Sequence, residues 1–236
     1  MLSDNSDSRA KVLALGAVFC WSTVATAFKV GLNGLTPVVF LFYVILASLL
    51  FIALFLTYTK QWPEFRKIPT SDITIAAFAG LLNPFAYYLI LFEAYKRLPA
   101  QVAQSLNYTW PIVLVVLSAF IFGHKIKRNV IWGLLLGFAG VMFIASRGHF
   151  FVLSFDGLGV FLAVFSSLIW SIYWIISKAS KIHPVKFLFI NQSVGLFATL
   201  LWILLFEHNF TIPGSKTVFA ALYSGWFEMG ITFILW

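Results

Sequence analysis

Charged side chains are scarce in this sequence: Asp, Glu, Lys and Arg make up 10% of 236 residues, and only 8 of them are acidic. An average soluble domain carries about 25% charged residues, so water is not the main solvent of this chain. The single cysteine, Cys20, excludes an internal disulfide, leaves the compartment unread and reads as a small packed hydrophobe. The 4 histidines, His124, His149, His183 and His208, all fall at loops or at the ends of apolar runs. Paired metal ligands, a nucleophile triad inside an apolar run and a glycine–lysine phosphate loop are missing, which speaks against an intramembrane enzyme. No cofactor and no metal is expected. Strand-like alternation is missing too, and the apolar runs are too long for the strands of a barrel.

What is present is apolar and aromatic: 61% hydrophobic residues, with 27 Phe and 9 Trp. They arrive in blocks about as long as a helix needs to cross a bilayer, roughly 20 residues. Eight spans are expected: Val12 to Leu32, Val38 to Tyr58, Ile73 to Tyr95, Ala100 to Phe122, Val130 to Ser146, Leu158 to Ser177, Val185 to Phe206 and Val218 to Trp236. The fold class is therefore an all-α membrane protein, a bundle of transmembrane helices in a lipid bilayer. The polar stretch Met1 to Ala10 precedes a first span without a short apolar core and cleavage site, so that span is read as retained.

A net charge of +8 invites a nucleic-acid partner, but the 16 Lys and Arg form no stripe or long basic run, so none is expected. Their placement fits topology. With the N-terminus in the cytoplasm, 11 basic residues lie inside, among them Lys60, Lys67, Lys125, Lys127 and Lys186, and 5 outside: Lys29, Lys96, Arg97, Arg147 and Lys216. That asymmetry follows the positive-inside rule.

The chain also resembles itself. At an offset of 149 positions, Leu13 to Ser22 superposes on Leu162 to Ser171, Trp21 falls on Trp170, and Lys29 on Lys178. With small loop gaps, Pro37 to Phe40 meets Pro184 to Phe187, and Ala76 and Ala77 meet Ala220 and Ala221. The expected organisation is a first five-span repeat over residues 1–148 and a second over residues 157–236. An odd number of spans inverts the second repeat, an arrangement found in secondary transporters with a midplane substrate site. Trp236 corresponds to Phe92, so this second repeat holds three spans and is expected to be truncated.

Polar side chains in hydrocarbon are costly, so stripes of them are expected to face other helices or water. Such stripes include Ser22, Thr26 and Lys29 in span one, Gly80, Asn83 and Tyr87 in span three, and Gln101, Gln104, Ser105 and Tyr108 in span four. Span six adds Ser167, Trp170, Ser171 and Trp174, and span eight Ser224, Glu228 and Thr232. Spans two and five read as peripheral, lipid-facing or packing helices, nearly all apolar apart from a Gly133, Gly137 and Gly140 row suited to close helix approach. The expectation is an aromatic-walled cavity whose substrate-binding residues are Trp21, Ser22, Asn83, Tyr87, Gln104, Tyr108, Trp170 and Trp174. Glu228 is an acid deep in a span, where a lipid-facing charge costs about 2.5 to 3.5 kcal/mol. It must be protonated, paired or facing water. It reads either as a coupling or amine-binding acid, with protons as the coupling ion, or as a structural hydrogen bond. Glu93 reads as an interfacial partner of Lys96 and Arg97, and Asn191 and Gln192 as inter-helix hydrogen bonds.

Leu15 to Ser22, Tyr88 to Ala94, Leu98 to Ala100, Asn107 to Pro111, Gly133 to Gly140 and Phe227 to Gly230 follow one another in the order and spacing of a known family. The chain resembles the drug/metabolite transporter superfamily, specifically its EamA family. It departs at Gly123 and His124, where members often carry Gly followed by Glu. The resemblance implies ten spans in two EamA repeats and a bacterial inner (cytoplasmic) membrane. It also implies alternating-access transport of small organic metabolites such as amino acids. A passive channel, an intramembrane enzyme and a non-transporting membrane partner are the alternatives.

Overall fold

The computed structural model describes residues 2–123, 125–146, 156–207 and 210–235, with the side chains of residues 11–123, 125–144, 146, 156–207 and 210–235. The readings placed on Arg9, His124, Arg147, His149, His208 and Trp236 lie outside these.

The helices are α1 (Leu2–Leu32), α2 (Pro37–Tyr58), α3 (Thr70–Gly80), α4 (Tyr87–Arg97), α5 (Ala100–Asn107), α6 (Trp110–Phe122) and α7 (Arg128–Ala145). They continue with α8 (Gly157–Ala179), α9 (Pro184–Phe206), α10 (Ser215–Tyr223) and α11 (Thr232–Leu235). A 3₁₀ turn, Trp62–Lys67, precedes α3, and two π-helical segments, Leu81–Ala86 and Ser224–Ile231, join α3 to α4 and α10 to α11. Only helices keep every backbone group paired inside a segment that must lie in lipid. Pro37 and Pro184 open α2 and α9, where a missing N–H costs nothing. Asp156 caps α8, its side chain accepting from the Gly159 amide at 2.9 Å.

Among the described residues, seven helical stretches are long and apolar enough to cross a membrane. The expected fifth span is the shorter apolar helix Arg128–Ile144. Spans three, four and eight are not continuous α-helices. Pro84 lies inside the first π segment, and span four breaks at Tyr108 and Thr109, with Pro111 in the first turn of α6.

Of the readings of span two as a peripheral, lipid-facing or packing helix, the structure supports packing. Half of its apolar window is buried, including Val44, Ile45, Ala47, Ser48, Ile52 and Leu56. It packs against α9 and the second π segment. An apolar helix covered by other helices and one covered by lipid share a composition, so the sequence does not distinguish them. Glycine permits the closest contacts: a Cβ at Gly225 would lie 2.5 Å from the Val44 carbonyl oxygen, and one at Gly80 would lie 2.7 Å from the Asn191 carbonyl oxygen. The second π segment thus seats on α2, as the end of α3 seats on α9.

Gly133, Gly137 and Gly140 face open space, with nothing within 4 Å of an added Cβ among the described residues, so the close approach expected there is not made. Gly225→Ala is expected to cost about 1 to 3 kcal/mol by overpacking, lowering the thermal unfolding midpoint in detergent, whereas Gly137→Ala leaves it unchanged.

Candidate functional site

Three tryptophans from three helices meet at the centre of the bundle. Trp21 of α1, Trp110 of α6 and Trp170 of α8 sit edge to face, with centroids 6.3, 6.3 and 6.4 Å apart. Tyr87 lies 4.5 Å from Trp170 and 4.6 Å from Tyr88. Trp21, Tyr87, Trp110 and Trp170, with Gln104, Asn107, Tyr108 and Glu228, line a small, partly open cavity of about 10 Å³, room for about one water.

Hydrogen bonds hold several of the polar groups on and beside the wall. The Tyr88 hydroxyl donates to Glu228 Oε1 at 2.8 Å. Glu228 Oε2 has no hydrogen-bond partner among the described residues, although the side chain is buried. Tyr87 donates to Asn107 Oδ1 at 3.1 Å, and Asn107 Nδ2 donates to Ser166 Oγ at 2.9 Å. The Tyr95 hydroxyl donates to Gln104 Oε1, and Gln104 Nε2 donates to the Trp21 carbonyl at 3.5 Å. Glu228 sits within a π-helical segment, a winding that often marks functional positions. A carboxylate with one unengaged oxygen inside a ring of aromatic faces suits a cation, either a proton or an organic ammonium.

The structure brings Trp21, Tyr87, Gln104, Tyr108, Trp170 and Glu228 together, as the polar and aromatic stripes suggest. Trp174 lies one layer away, stacked on Phe233 at 5.7 Å, and borders a wider groove of about 550 Å³ between α6 and α8. Asn83 is buried in the first π segment beside α9, outside the cavity lining.

Ser22 is corrected: it is exposed, with its hydroxyl donating to the Phe19 carbonyl at 2.8 Å, and Thr26 is exposed with it. A serine satisfied by its own helix needs no partner inside the bundle. Asn107 and Trp110 join the wall, although sequence reasoning leaves them out of the binding set, and Tyr88, outside the lining, holds Glu228. Asn191 does bridge helices: its oxygen accepts from Tyr173 at 3.1 Å and its amide donates to the Ala76 carbonyl at 2.7 Å.

Ion pairs tie the two ends of the bundle. At one end Arg97 pairs with Glu93 at 2.9 Å, as expected, and also with Asp156 at 3.2 Å across to α8. Asp156 is held below the ordinary carboxylate value, first by the Gly159 amide, against burial, with Arg97 adding to the effect. Lys29 donates to the Tyr95 carbonyl near the end of α4, a favourable place for a cation. At the opposite end of span three, Glu64 pairs with Lys186 of α9.

With this geometry in place, comparison with known proteins decides the family. The model of the EamA-like transporter family matches residues 8–146, more than half of the chain. The chain belongs to the EamA-like transporter family. It is a multi-pass integral membrane protein.

Among its relatives is the "Aromatic amino acid exporter YddG" of Ancylobacter novellus, 29% identical over 161 residues, covering 66% of this chain and 55% of that protein. Another is the "Uncharacterized inner membrane transporter YhbE" of Escherichia coli K12, 26% identical over 173 residues, covering 71% of this chain and 53% of that protein. The chain thus spans about half the length of these EamA relatives. A solved structure, titled only as the crystal structure of a protein, aligns with a TM-score of 0.75 at 21% identity, over 97% of this chain and 78% of the other. That similarity shows that the bundle has a known fold.

Proposed function

We propose that this protein is a secondary-active transporter of small organic metabolites, working by alternating access across the cytoplasmic (inner) membrane with its N-terminus inside. The solute it suits carries an ammonium group on an apolar or aromatic body, as an amino acid does. The observation that carries this reading is Glu228: one carboxylate oxygen is held by Tyr88, and the other is unengaged in a cavity walled by three tryptophans. Glu228 would hold a proton when the site is empty of solute. It would release that proton to water before accepting the solute's ammonium, which links the two fluxes.

The two halves would be residues 1–148 and 157–236, inverted about an axis in the membrane plane. Several observations support that symmetry. Trp21 and Trp170, matched by the repeat, touch at the centre. Spans three and eight, also matched, both carry a π segment. The helices exchange partners in kind, α2 packing on the second π segment and α9 on α3 and the first. Ion pairs at both ends of the bundle favour a carrier over a passive channel.

Phenethylamine, which has the ammonium and the ring but no carboxylate, is the direct probe. Titrated into the purified protein, it should change tryptophan fluorescence saturably, and Glu228→Gln should weaken that response about 10- to 100-fold by loss of a charge-assisted hydrogen bond. Equal affinity in the two proteins would remove Glu228 from the site.

A further inference from the structure

At the end of the bundle away from Arg97, a recess of about 330 Å³ opens between the 3₁₀ turn, the start of α3 and the start of α9. Its charged lining is Glu64, Lys67, Asp72, Lys181 and Lys186, beside His183. The side chain of Lys186 is only 7% exposed, whereas that of its partner Glu64 is 55% exposed. The pair is therefore asymmetric. Glu64 stands on a short turn with no buried residue and can swing into water. Lys186, in the first turn of α9, cannot follow it. An ammonium this far out of water is costly without a facing anion, and removing one member of a buried pair is strongly destabilising.

We propose that this recess is a binding site for the carboxylate of an organic solute, in which Glu64 is the built-in occupant of Lys186 and exchanges with a carboxylate from solution. The surroundings suit that ligand. Lys67 adds positive charge that already acts on Glu64, whose carboxyl is held below its ordinary value chiefly by the hydrogen bond and charge of Lys186. The N-terminus of α9 favours an anion, and Ile68, Pro69 and Ile182 offer an apolar surface to its organic body. Asp72, the other acid, disfavours a second negative group and so favours a single carboxylate.

Ile182 also lines an inner pocket with Tyr173, Trp174 and Phe233, and Phe233 lies 5.6 Å from Trp170 of the central cavity. Ile182 and Phe233 thus link the recess, through packed side chains, to the central cavity. Exchange at Lys186 removes the ionic tie between the 3₁₀ turn and α9, leaving only the packing of Trp62 and Phe65 on Phe189, so docking of the solute loosens this end. That last step rests on the transport reading; the binding itself does not.

Benzoate, which has the carboxylate and no amine for Glu228, tests the site by equilibrium binding to the protein in nanodiscs of zwitterionic lipid. The wild type should bind it saturably. Glu64→Gln, which removes the competitor, should bind about 10-fold more tightly or better, and Lys186→Gln should lose binding. Inorganic phosphate, and phosphatidylglycerol added to the nanodiscs, should each displace benzoate less well than acetate does. Failure of Glu64→Gln to bind benzoate more tightly, retained binding in Lys186→Gln, or displacement by phosphate or anionic lipid as effective as by acetate would each overturn the proposal. If benzoate binds as stated while no solute crosses the membrane, the transport reading alone falls.

Discussion

Glu228→Gln is expected to abolish gradient-driven transport by the protein in proteoliposomes, while leaving it folded. Glutamine keeps the size of the side chain and can still accept from Tyr88, so the packing around Glu228 persists. It cannot carry the proton, and it offers no charge to an ammonium. A hydrogen bond to a charged group contributes about 1.5 to 3 kcal/mol, so half-saturation should rise about 10- to 100-fold and the response to a proton gradient should vanish. The comparison is the initial uptake rate with and without an inward proton gradient, wild type against variant. Unchanged rates in both conditions would make Glu228 a structural hydrogen-bond acceptor.

Trp170→Ala should be the most damaging substitution to the bundle itself. Its ring meets Trp21, Trp110 and Tyr87 on the cavity side and Tyr173, Trp174 and Phe233 on the other. Burying it gains little from leaving lipid, which is as apolar as the core, so its contribution comes from packing. The loss should therefore sit near about 3 kcal/mol, the low end for buried Trp→Ala changes. Thermal unfolding in detergent should show a lowered midpoint, and phenethylamine binding should disappear. Trp170→Phe keeps a ring in place and should recover most of the stability. An unfolding midpoint unchanged in Trp170→Ala would show that the ring cluster does not hold the helices together.

The ion pair between Glu64 and Lys186 adds a pH dependence of definite sign. Lys186 holds the Glu64 carboxyl below its ordinary value of 4.5, so the contact contributes fully above that value. Its contribution is lost as the pH falls through the lowered value.

Much of this was legible in the sequence, for physical reasons that also explain the exceptions. The spans are read from length and apolarity alone, because lipid imposes both. Glu228 stands out because a deep carboxyl cannot be idle, and Trp170 because the repeat pairs it with Trp21. Ser22 follows Trp21 directly, but neighbours in sequence point about 100° apart on a helix, so the two cannot share the cavity face. Trp21 turns inward with Val24 and Phe28, and Ser22 turns outward, satisfied by Phe19. Burial of α2 was hidden because its lining of Gly225 and Gly230 belongs to a helix far along the chain. Tyr88 was passed over for a related reason: its partner is 140 residues away, and only the fold brings the two together.

The central claim is that solute and proton share the Trp21, Trp170 and Glu228 cavity. The most direct test is uptake of labelled phenethylamine and a mixed amino-acid pool by proteoliposomes bearing the protein, under a proton gradient imposed in each direction. The account predicts that a labelled solute accumulates against its own gradient, saturates, reverses direction with the proton gradient and stops on addition of an uncoupler. Flux that neither saturates nor responds to the gradient would contradict it and leave a passive channel in its place.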